Sequence, residues 1–311
     1  MIKEKPQKKL TGFVMLTLCS FIWGTAFIAQ SIGGQYAEPL TFNCGRSVLA
    51  TAFLFFCCFV FDKIKGRSFC IWGSGDAAYR RRLLKGGIIC GIALSTATFM
   101  QQLGIMYTSV GKSGFITALY IVLVPLFSYI AFRSRISLLQ CLSVLIAAAG
   151  MYFICINESF TINIGDIYTL VCAVFFACHI LCVDNFTGGL DGLRFSMVQF
   201  AACSVLNGML MFIFETPAWE QITASLLPLL YLGIMSSGVA YTLQIMGQKY
   251  ISSVIACMLM SLESAFALIS GWLFLGQTLT GREIFGCVLV FAAITLAQVP
   301  AEMLFGRKKS A

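Results

Sequence analysis

Two charged residues lie deep inside apolar stretches of the sequence, where a charge is costly to bury. Arg46 follows the start of the stretch 39–61, and Glu263 lies near the middle of the stretch 251–275. If both stretches are helices that enter a membrane from opposite sides, the two residues lie roughly 10 Å and 20 Å from those sides, which is the same level of a ~30 Å core. We predict that they face one cavity, where they neutralise each other or each hold one end of a substrate; a purely structural ion pair is the alternative.

Two further hypotheses concern titratable residues in these stretches. Glu263 in an apolar cavity is suited to carrying a coupling proton. His179 is the only histidine, and it is either a proton relay or, as we favour, a packed hydrogen-bonded residue. The cysteines around it follow no zinc-ligand spacing, so we predict neither a metal nor a cofactor.

The composition predicts that membrane helices position these residues. The 311 residues are 59% apolar and 11% charged, whereas soluble domains carry about 25% charged residues. The segment LATAFLFFCCFVF does not alternate as a barrel strand would, so the prediction is an all-α integral membrane protein with ten transmembrane helices. The ten stretches are 10–30, 39–61, 83–104, 111–132, 137–156, 164–185, 192–214, 225–246, 251–275 and 281–300.

The basic residues predict the orientation of the chain. The formal charge is +8, and most of the 21 lysines and arginines fall in the N-terminal head, the 62–85 loop and the C-terminal tail. Under the positive-inside rule this distribution predicts a multi-pass protein of a bacterial-type plasma (inner) membrane with both termini cytoplasmic. No segment supplies a folded basic surface, so we do not predict binding to nucleic acid.

One short phrase occurs twice, 143 residues apart. The segments 101–109 and 243–253 carry the same residue types at the same spacing: Gln101, Gly104, Tyr107 and Ser109, then Gln244, Gly247, Tyr250 and Ser252. A weaker match with a shift of 153 relates the helices before them. Because five is an odd number, five helices followed by five helices are inverted copies, an arrangement typical of secondary transporters with a site between the repeats.

This repeat predicts four segments and a set of site residues. The segments are a basic tail 1–9, a first five-helix repeat 10–156, a second repeat 164–300 and a basic tail 301–311. The two turns are either tight connectors or gates, with Gln101 and Gln244 facing the pathway. The hinge or gate candidates are Gly104, Tyr107, Gly247, Tyr250 and also Pro125, which we expect to interrupt helix four as a hinge or a fixed kink. The other cavity candidates are Trp23, Asn43, Thr98, Gln102, Tyr120, Gln199, Tyr241 and Ser264.

Four segments resemble the EamA-type branch of the drug/metabolite transporter superfamily. They are WGTAF (23–27), PLTFNCGRSVLA (39–50), FMQQLGIMYTSVGKSGFITALYIVLVP (99–125) and MSLESAFALISGWLFLGQTLT (260–280). The resemblance covers nearly the whole chain. It implies ten helices in inverted five-helix repeats, a central cavity, and movement of small metabolites by alternating access, usually outward.

These observations together predict a transporter rather than an enzyme. We expect a secondary exporter of a small organic metabolite, with an amino acid or related zwitterion favoured by one Arg and one Glu in the cavity. The alternative is an intramembrane enzyme with a buried polar active site, although the chain has neither H-E-x-x-H nor a P-loop. The expected partners are the solute, the lipid bilayer and a coupling proton, with the protein a monomer or a homodimer.

Overall fold

The structure is a computed structural model that describes residues 6–73, 75–108, 110–133, 137–155, 162–275 and 280–298. These residues form helices and contain no strands. The helices up to the middle of the chain are α1 (Pro6–Gly33), α2 (Pro39–Ile64), α3 (Ala77–Tyr107), α4 (Val110–Thr117), α5 (Tyr120–Phe132) and α6 (Leu138–Cys155). Those that follow are α7 (Ile164–Phe186), α8 (Gly192–Phe214), α9 (Trp219–Ala224), α10 (Leu226–Leu230), a π-helix (Tyr231–Ala240), α11 (Tyr241–Gln248), α12 (Ser253–Met260), α13 (Leu262–Leu275) and α14 (Gly281–Gln298).

Eight helical segments of the described residues are long and apolar enough to cross a membrane. Leu138–Ile154 is a shorter apolar helix, and α14 packs along α6, the helix that contains it. The predicted ten spans therefore stay a prediction, while the all-helical, membrane-spanning character agrees with the sequence. The two predicted tails fall wholly or largely outside the described residues.

Contacts at both ends of α3 and α7 show that these two helices are antiparallel. The Thr108 hydroxyl, just after α3, donates to Asp166 Oδ1 in the first turn of α7 at 2.8 Å. At the other end, Arg82 Nη2 in the first turns of α3 donates to the Asn185 carbonyl near the end of α7 at 3.3 Å. The start of each helix therefore lies beside the end of the other.

Contacts at both ends show that α2 and α8 are antiparallel as well. The Glu215 carboxylate, which follows α8, accepts from the backbone N–H groups of Leu40 and Thr41 at 2.7 and 2.6 Å and so caps the start of α2. A carboxylate is favourable there because the first N–H groups of a helix have no partner within it. At the opposite end, Arg194 of α8 binds Asp62 of α2 at 2.5 Å.

Two predicted membrane helices are each broken by a turn. The fourth is divided between α4 and α5 at Ala118 and Leu119, and the ninth is divided between α12 and α13 at Ser261. Ala118 and Ser261 are separated by 143 residues, the shift that relates the two sequence phrases. The two breaks thus lie at positions that this shift relates.

Pro125 does not end a helix, and the prediction that it is a hinge or a fixed kink stays a prediction. The interruption lies at 118–119, and α5 continues through Pro125. A proline leaves the carbonyl four residues earlier without its helical donor. That carbonyl belongs to Ile121, and Cys257 Sγ lies 4.0 Å from its oxygen as a donor from α12. The same thiol lies closer to the Val254 carbonyl oxygen, at 3.0 Å, so it is at most a weak second contact for the Ile121 carbonyl.

Candidate functional site

A narrow cavity with both polar and apolar lining lies at the centre of the helices, and residues of α1, α2, α3, α4, α5, α7, α11, α12, α13 and the π-helix line it. The space open to the centres of water molecules is about 30 Å³, which holds about two waters. Seven of the predicted site residues line it: Trp23, Arg46, Gln101, Tyr120, Tyr241, Gln244 and Glu263. Eight others line it as well: Ala26, Phe27, Gln30, Thr117, Phe176, Ile180, Ser236 and Met260.

Arg46 brings the one cationic side chain among the residues that line this cavity. The residue is 3% exposed, and its Nε donates to the Ser237 hydroxyl at 3.1 Å. Its Nη1 is buried and has no hydrogen-bond partner in the described part of the chain. A buried cation keeps a strong tendency to bind an acceptor, so this nitrogen is available for an anionic group of a ligand.

Glu263 brings the one carboxylate to the same lining. It lies in the first turn of α13, directly after the break at Ser261, where the helix dipole favours a negative charge. The residue is 5% exposed, and its Oε1 accepts from the Tyr120 hydroxyl at 3.2 Å. Tyr120 and Glu263 are 143 residues apart, so the repeat shift relates the two partners to each other.

Arg46 and Glu263 share the cavity without forming an ion pair. Both residues belong to the described part of the chain, and no nitrogen of Arg46 lies within 4.0 Å of a Glu263 oxygen. Their hydrogen bonds go instead to the neutral hydroxyls of Ser237 and Tyr120. The two opposite charges therefore remain separate inside one polar space.

Two glutamines leave further polar atoms without partners. Gln30 Oε1 and Gln244 Oε1 are buried, and neither accepts a hydrogen bond from the residues that the structure describes. Leaving a buried acceptor unpaired costs about 1–3 kcal/mol, so such atoms are explained best by water or a ligand. Gln101 is already engaged, since its Nε2 lies 3.5 Å from the Thr117 hydroxyl.

The π-helix shapes the wall of the cavity opposite α1. Its widened turns present the Ser236 carbonyl oxygen, which accepts from Trp23 Nε1 at 3.4 Å, and the Ser237 hydroxyl that holds Arg46. The Trp23 ring lies 4.7 Å from that of Tyr241, at the start of α11. Irregular helical turns of this kind occur often at functional sites, and here one turn positions two polar groups.

Six predicted site residues lie outside the lining of this cavity. His179 Nε2 lies 3.2 Å from Gln199 Oε1, and the His179 ring lies 6.0 Å from that of Tyr241. This pair therefore lies outside the lining of the cavity, and both the packing role and the proton-relay role of His179 stay predictions.

The remaining four fasten neighbouring helices or lie buried. Asn43 Nδ2 donates to the Thr98 carbonyl at 3.3 Å, and Gln102 Nε2 donates to the Gln30 carbonyl at 3.3 Å. Ser264 is buried, and its hydroxyl has no partner within the described ranges. These residues support the cavity from behind.

The predicted hinge glycines are points of close helix packing. A Cβ at Gly104 would lie 3.2 Å from the Gly165 carbonyl, and one at Gly247 would lie 2.8 Å from Leu16 Cγ. Tyr107 is 56% exposed, and Tyr250 is half-buried. This geometry explains the two glycines by contact between helices.

The two sequence shifts also relate lining residues that sequence reasoning missed. A shift of 143 relates Thr117 to Met260, just as it relates Gln101 to Gln244. A shift of 153 relates Trp23 to Phe176 and Phe27 to Ile180, and all four line the cavity: Trp23, Phe176, Phe27 and Ile180. Carrying each candidate across the repeat would have found Phe176, the equivalent of Trp23, from the sequence, but not Thr117, because its equivalent Met260 was not a candidate.

Comparison with known families decides the class of the protein. The model of the EamA-like transporter family matches residues 10–156 and again residues 163–298. The chain belongs to the EamA-like transporter family. Together with the eight apolar helices, this makes it a multi-pass membrane transporter.

Relatives of this EamA-family chain carry the same general description. It is 29% identical to an "Uncharacterized transporter" of Archaeoglobus fulgidus, over 94% of this chain and 87% of the relative. It is 22% identical to the "Uncharacterized transporter YoaV" of Bacillus subtilis, over 92% and 95%. A crystal structure of a protein with 17% identity superimposes with a TM-score of 0.77 and covers 97% of this chain and 99% of its own. The names indicate a transporter rather than an enzyme, and the crystal structure indicates a shared fold.

Proposed function

We propose that this EamA-family transporter is a secondary exporter of a small organic zwitterion, with an amino acid favoured. The solute would cross by alternating access through the central cavity, between the inverted halves 10–156 and 164–300. Both termini would face the cytoplasm across a bacterial-type plasma membrane. The observation that carries the proposal is the presence of Arg46 and Glu263 in one cavity, buried and not paired with each other.

The charges match the two ends of an amino acid. The unpartnered Nη1 of Arg46 is a donor for a carboxylate. Glu263 is an acceptor for an ammonium group, and the free oxygens of Gln30 and Gln244 supply further acceptors. A solute with only one charge would leave Arg46 or Glu263 buried without a counter-charge, which is costly.

The size of the cavity supports a mechanism with more than one conformation. Space of about 30 Å³ is roughly tenfold smaller than the ~300 Å³ at the low end for small-molecule sites. Hydrogen bonds also hold α2, which carries Arg46, against α8 at both of its ends, through Glu215 and Arg194. A solute therefore requires a wider state, as alternating access provides.

The geometry of the breaks supports the inverted arrangement. The turns at Ala118 and Ser261 are related by the same shift as the sequence phrases, and so are the bonded residues Tyr120 and Glu263. Two residues that a two-fold axis relates to each other can be in contact only if they lie near that axis. We infer that the pseudo-two-fold axis passes close to this pair, and that Glu263 carries a coupling proton there.

Counterflow into proteoliposomes tests the function. We expect vesicles loaded with the unlabelled amino acid that the protein transports to accumulate its labelled form from outside, at a rate that saturates with concentration. Arg46→Gln and Glu263→Gln should strongly reduce this accumulation at a low, fixed concentration of the solute, whereas Glu220→Gln, which changes an exposed carboxylate on α9, should not. Normal transport by the charge-reversed variant Arg46→Glu with Glu263→Arg would exclude direct contact between these charges and the solute.

Accessibility labelling tests the topology separately. Cysteines introduced after residues 157 and 186 are expected on opposite sides of the membrane. If both react from the same side, the inverted arrangement is wrong, whatever the solute.

A further inference from the structure

An apolar groove runs along the outside of the helices, away from the central cavity. Its volume is about 540 Å³, and it lies between α2, α3 and α8, with the segment before α3 at one end. Leu84, Ile88 and Ile92 of α3 form one wall. They span eight residues, or roughly 12 Å of helix, which is close to the ~15 Å of hydrocarbon in one leaflet. The groove thus has the length of part of one acyl chain.

Basic side chains lie directly beyond the end of this groove. Arg80 and Arg81 precede Leu84 by four and three residues, so on a helix they lie on the same face one turn away. Both are exposed, and their side chains have neither a hydrogen-bond nor an ion-pair partner among the described residues. Arg82 differs, because its Nη2 is bonded to the Asn185 carbonyl on the α7 side.

The segment before α3 marks the level of the membrane surface. Ile71 and Trp72 belong to this segment and line the same groove, and both are half-buried. Tryptophan is enriched at the boundary between hydrocarbon and headgroups. An apolar channel below Trp72 and free guanidinium groups beside it match the two parts of a phospholipid.

We propose that the groove between α2, α3 and α8 binds an acyl chain of an anionic phospholipid whose phosphate is held by Arg80 and Arg81. The apolar lining excludes a polar peptide, and the arginines select a negatively charged headgroup. This proposal depends on the membrane location of the protein and not on the identity of the transported solute.

Fluorescence quenching tests this site in the full-length protein. The protein is placed in nanodiscs of phosphatidylcholine that contain increasing fractions of acyl-brominated phosphatidylglycerol or acyl-brominated phosphatidylcholine. The difference between the native protein and Trp72→Phe isolates the emission of Trp72. We expect brominated phosphatidylglycerol to quench Trp72 at a much lower fraction of the lipid than brominated phosphatidylcholine does. The ratio of the two fractions should fall about fivefold for each arginine removed.

Matched variants separate the site from general contact with lipid. Arg80→Gln with Arg81→Gln should remove the preference, Arg82→Gln should keep it, and Ala201→Phe, which fills the groove, should reduce quenching by both lipids. Equal quenching by the two headgroups in the native protein would overturn the proposal. So would a preference that survives in the double arginine variant, or an unquenched Trp72, which would place a polypeptide in the groove.

Discussion

Arg194 is the residue whose removal should destabilise this transporter most clearly. Its guanidinium group binds Asp62 at 2.5 Å and Asp191 at 2.7 Å, and it also donates to the Cys70 carbonyl at 3.2 and 3.3 Å. It therefore joins the start of α8 to the end of α2 and to the segment that follows α2. The perturbation is Arg194→Met, which keeps much of the side-chain length and removes the charge.

The expected loss of stability follows from the burial of Arg194 and its partner Asp62. The side chains of Arg194 and Asp62 are each 8% exposed, so the substitution leaves a buried carboxylate without its cation, a loss of about 3–5 kcal/mol. A polar pocket of about 790 Å³ borders these residues. Because water in this pocket can solvate the remaining carboxylate, we take the low end of that range, a loss of stability of about 3 kcal/mol. One kcal/mol corresponds to about 2–4 °C in large domains, and Tm should fall by about 6–12 °C.

Thermal unfolding of the purified protein in detergent, followed by a thiol-reactive dye, measures this change. Arg82→Met is the matched control, because Arg82 is exposed and makes one long bond to a carbonyl; its Tm should change by less than about 3 °C. Adding Asp62→Leu to Arg194→Met should recover part of the loss, since the unpaired carboxylate is then gone. A Tm for Arg194→Met within 2 °C or so of the native value would refute the reasoning.

Three further predictions concern the cavity. Glu263→Gln should raise KM for a zwitterionic solute by about 10-fold to 100-fold, the value of a hydrogen bond to a charged group, and leave an amine-free analogue unaffected; equal effects on both solutes would contradict it. Tyr120→Phe should reduce counterflow, but adding it to Glu263→Gln should cost nothing more, because the two residues act as one unit; additive losses would show independent roles. Gly24→Leu should abolish transport, since its Cβ would lie 2.6 Å from the Glu263 carbonyl, whereas Gly114→Ala, which meets nothing within 4 Å, should be tolerated.

The all-helical, membrane-spanning character of the chain was predictable because the membrane restricts the choices. Backbone groups in hydrocarbon must pair within the segment, so an apolar stretch of about 20 residues becomes a helix whatever its neighbours. The same rule made a buried charge conspicuous, which is why Arg46 and Glu263 were found from the sequence. Their shared cavity followed from depth alone, since residues at one level of a bundle can meet in its centre.

The local departures from regular helix could not be predicted in this way. The sequence draws attention to Pro125, yet the chain turns at Ala118 and Ser261. A helix tolerates a proline where its surroundings accommodate the ring and the freed carbonyl, and the surroundings of Pro125 in α5 are known only once the helices are packed. The π-helix at Tyr231–Ala240 likewise depends on contacts with Trp23 and Arg46, which are distant in sequence.

Which polar residues line the cavity depends on the rotation of each helix, and depth does not determine rotation. Gln102 and Gln101 are neighbours in sequence, yet only Gln101 lines the cavity, while Gln102 turns to the Gln30 carbonyl. Internal repetition supplies the missing constraint. If the halves are inverted copies, as we propose, a residue and its equivalent can face a shared axis together. Gln101 with Gln244 and Tyr120 with Glu263 do so, whereas Arg46 and Tyr241 line the cavity without their equivalents Gln199 and Thr98. A pair in which both copies line the cavity supports the proposed repeat, and the unequal chemistry of Tyr120 and Glu263, a phenol opposite a carboxylate, is what we would expect of halves that diverged to bind an asymmetric solute.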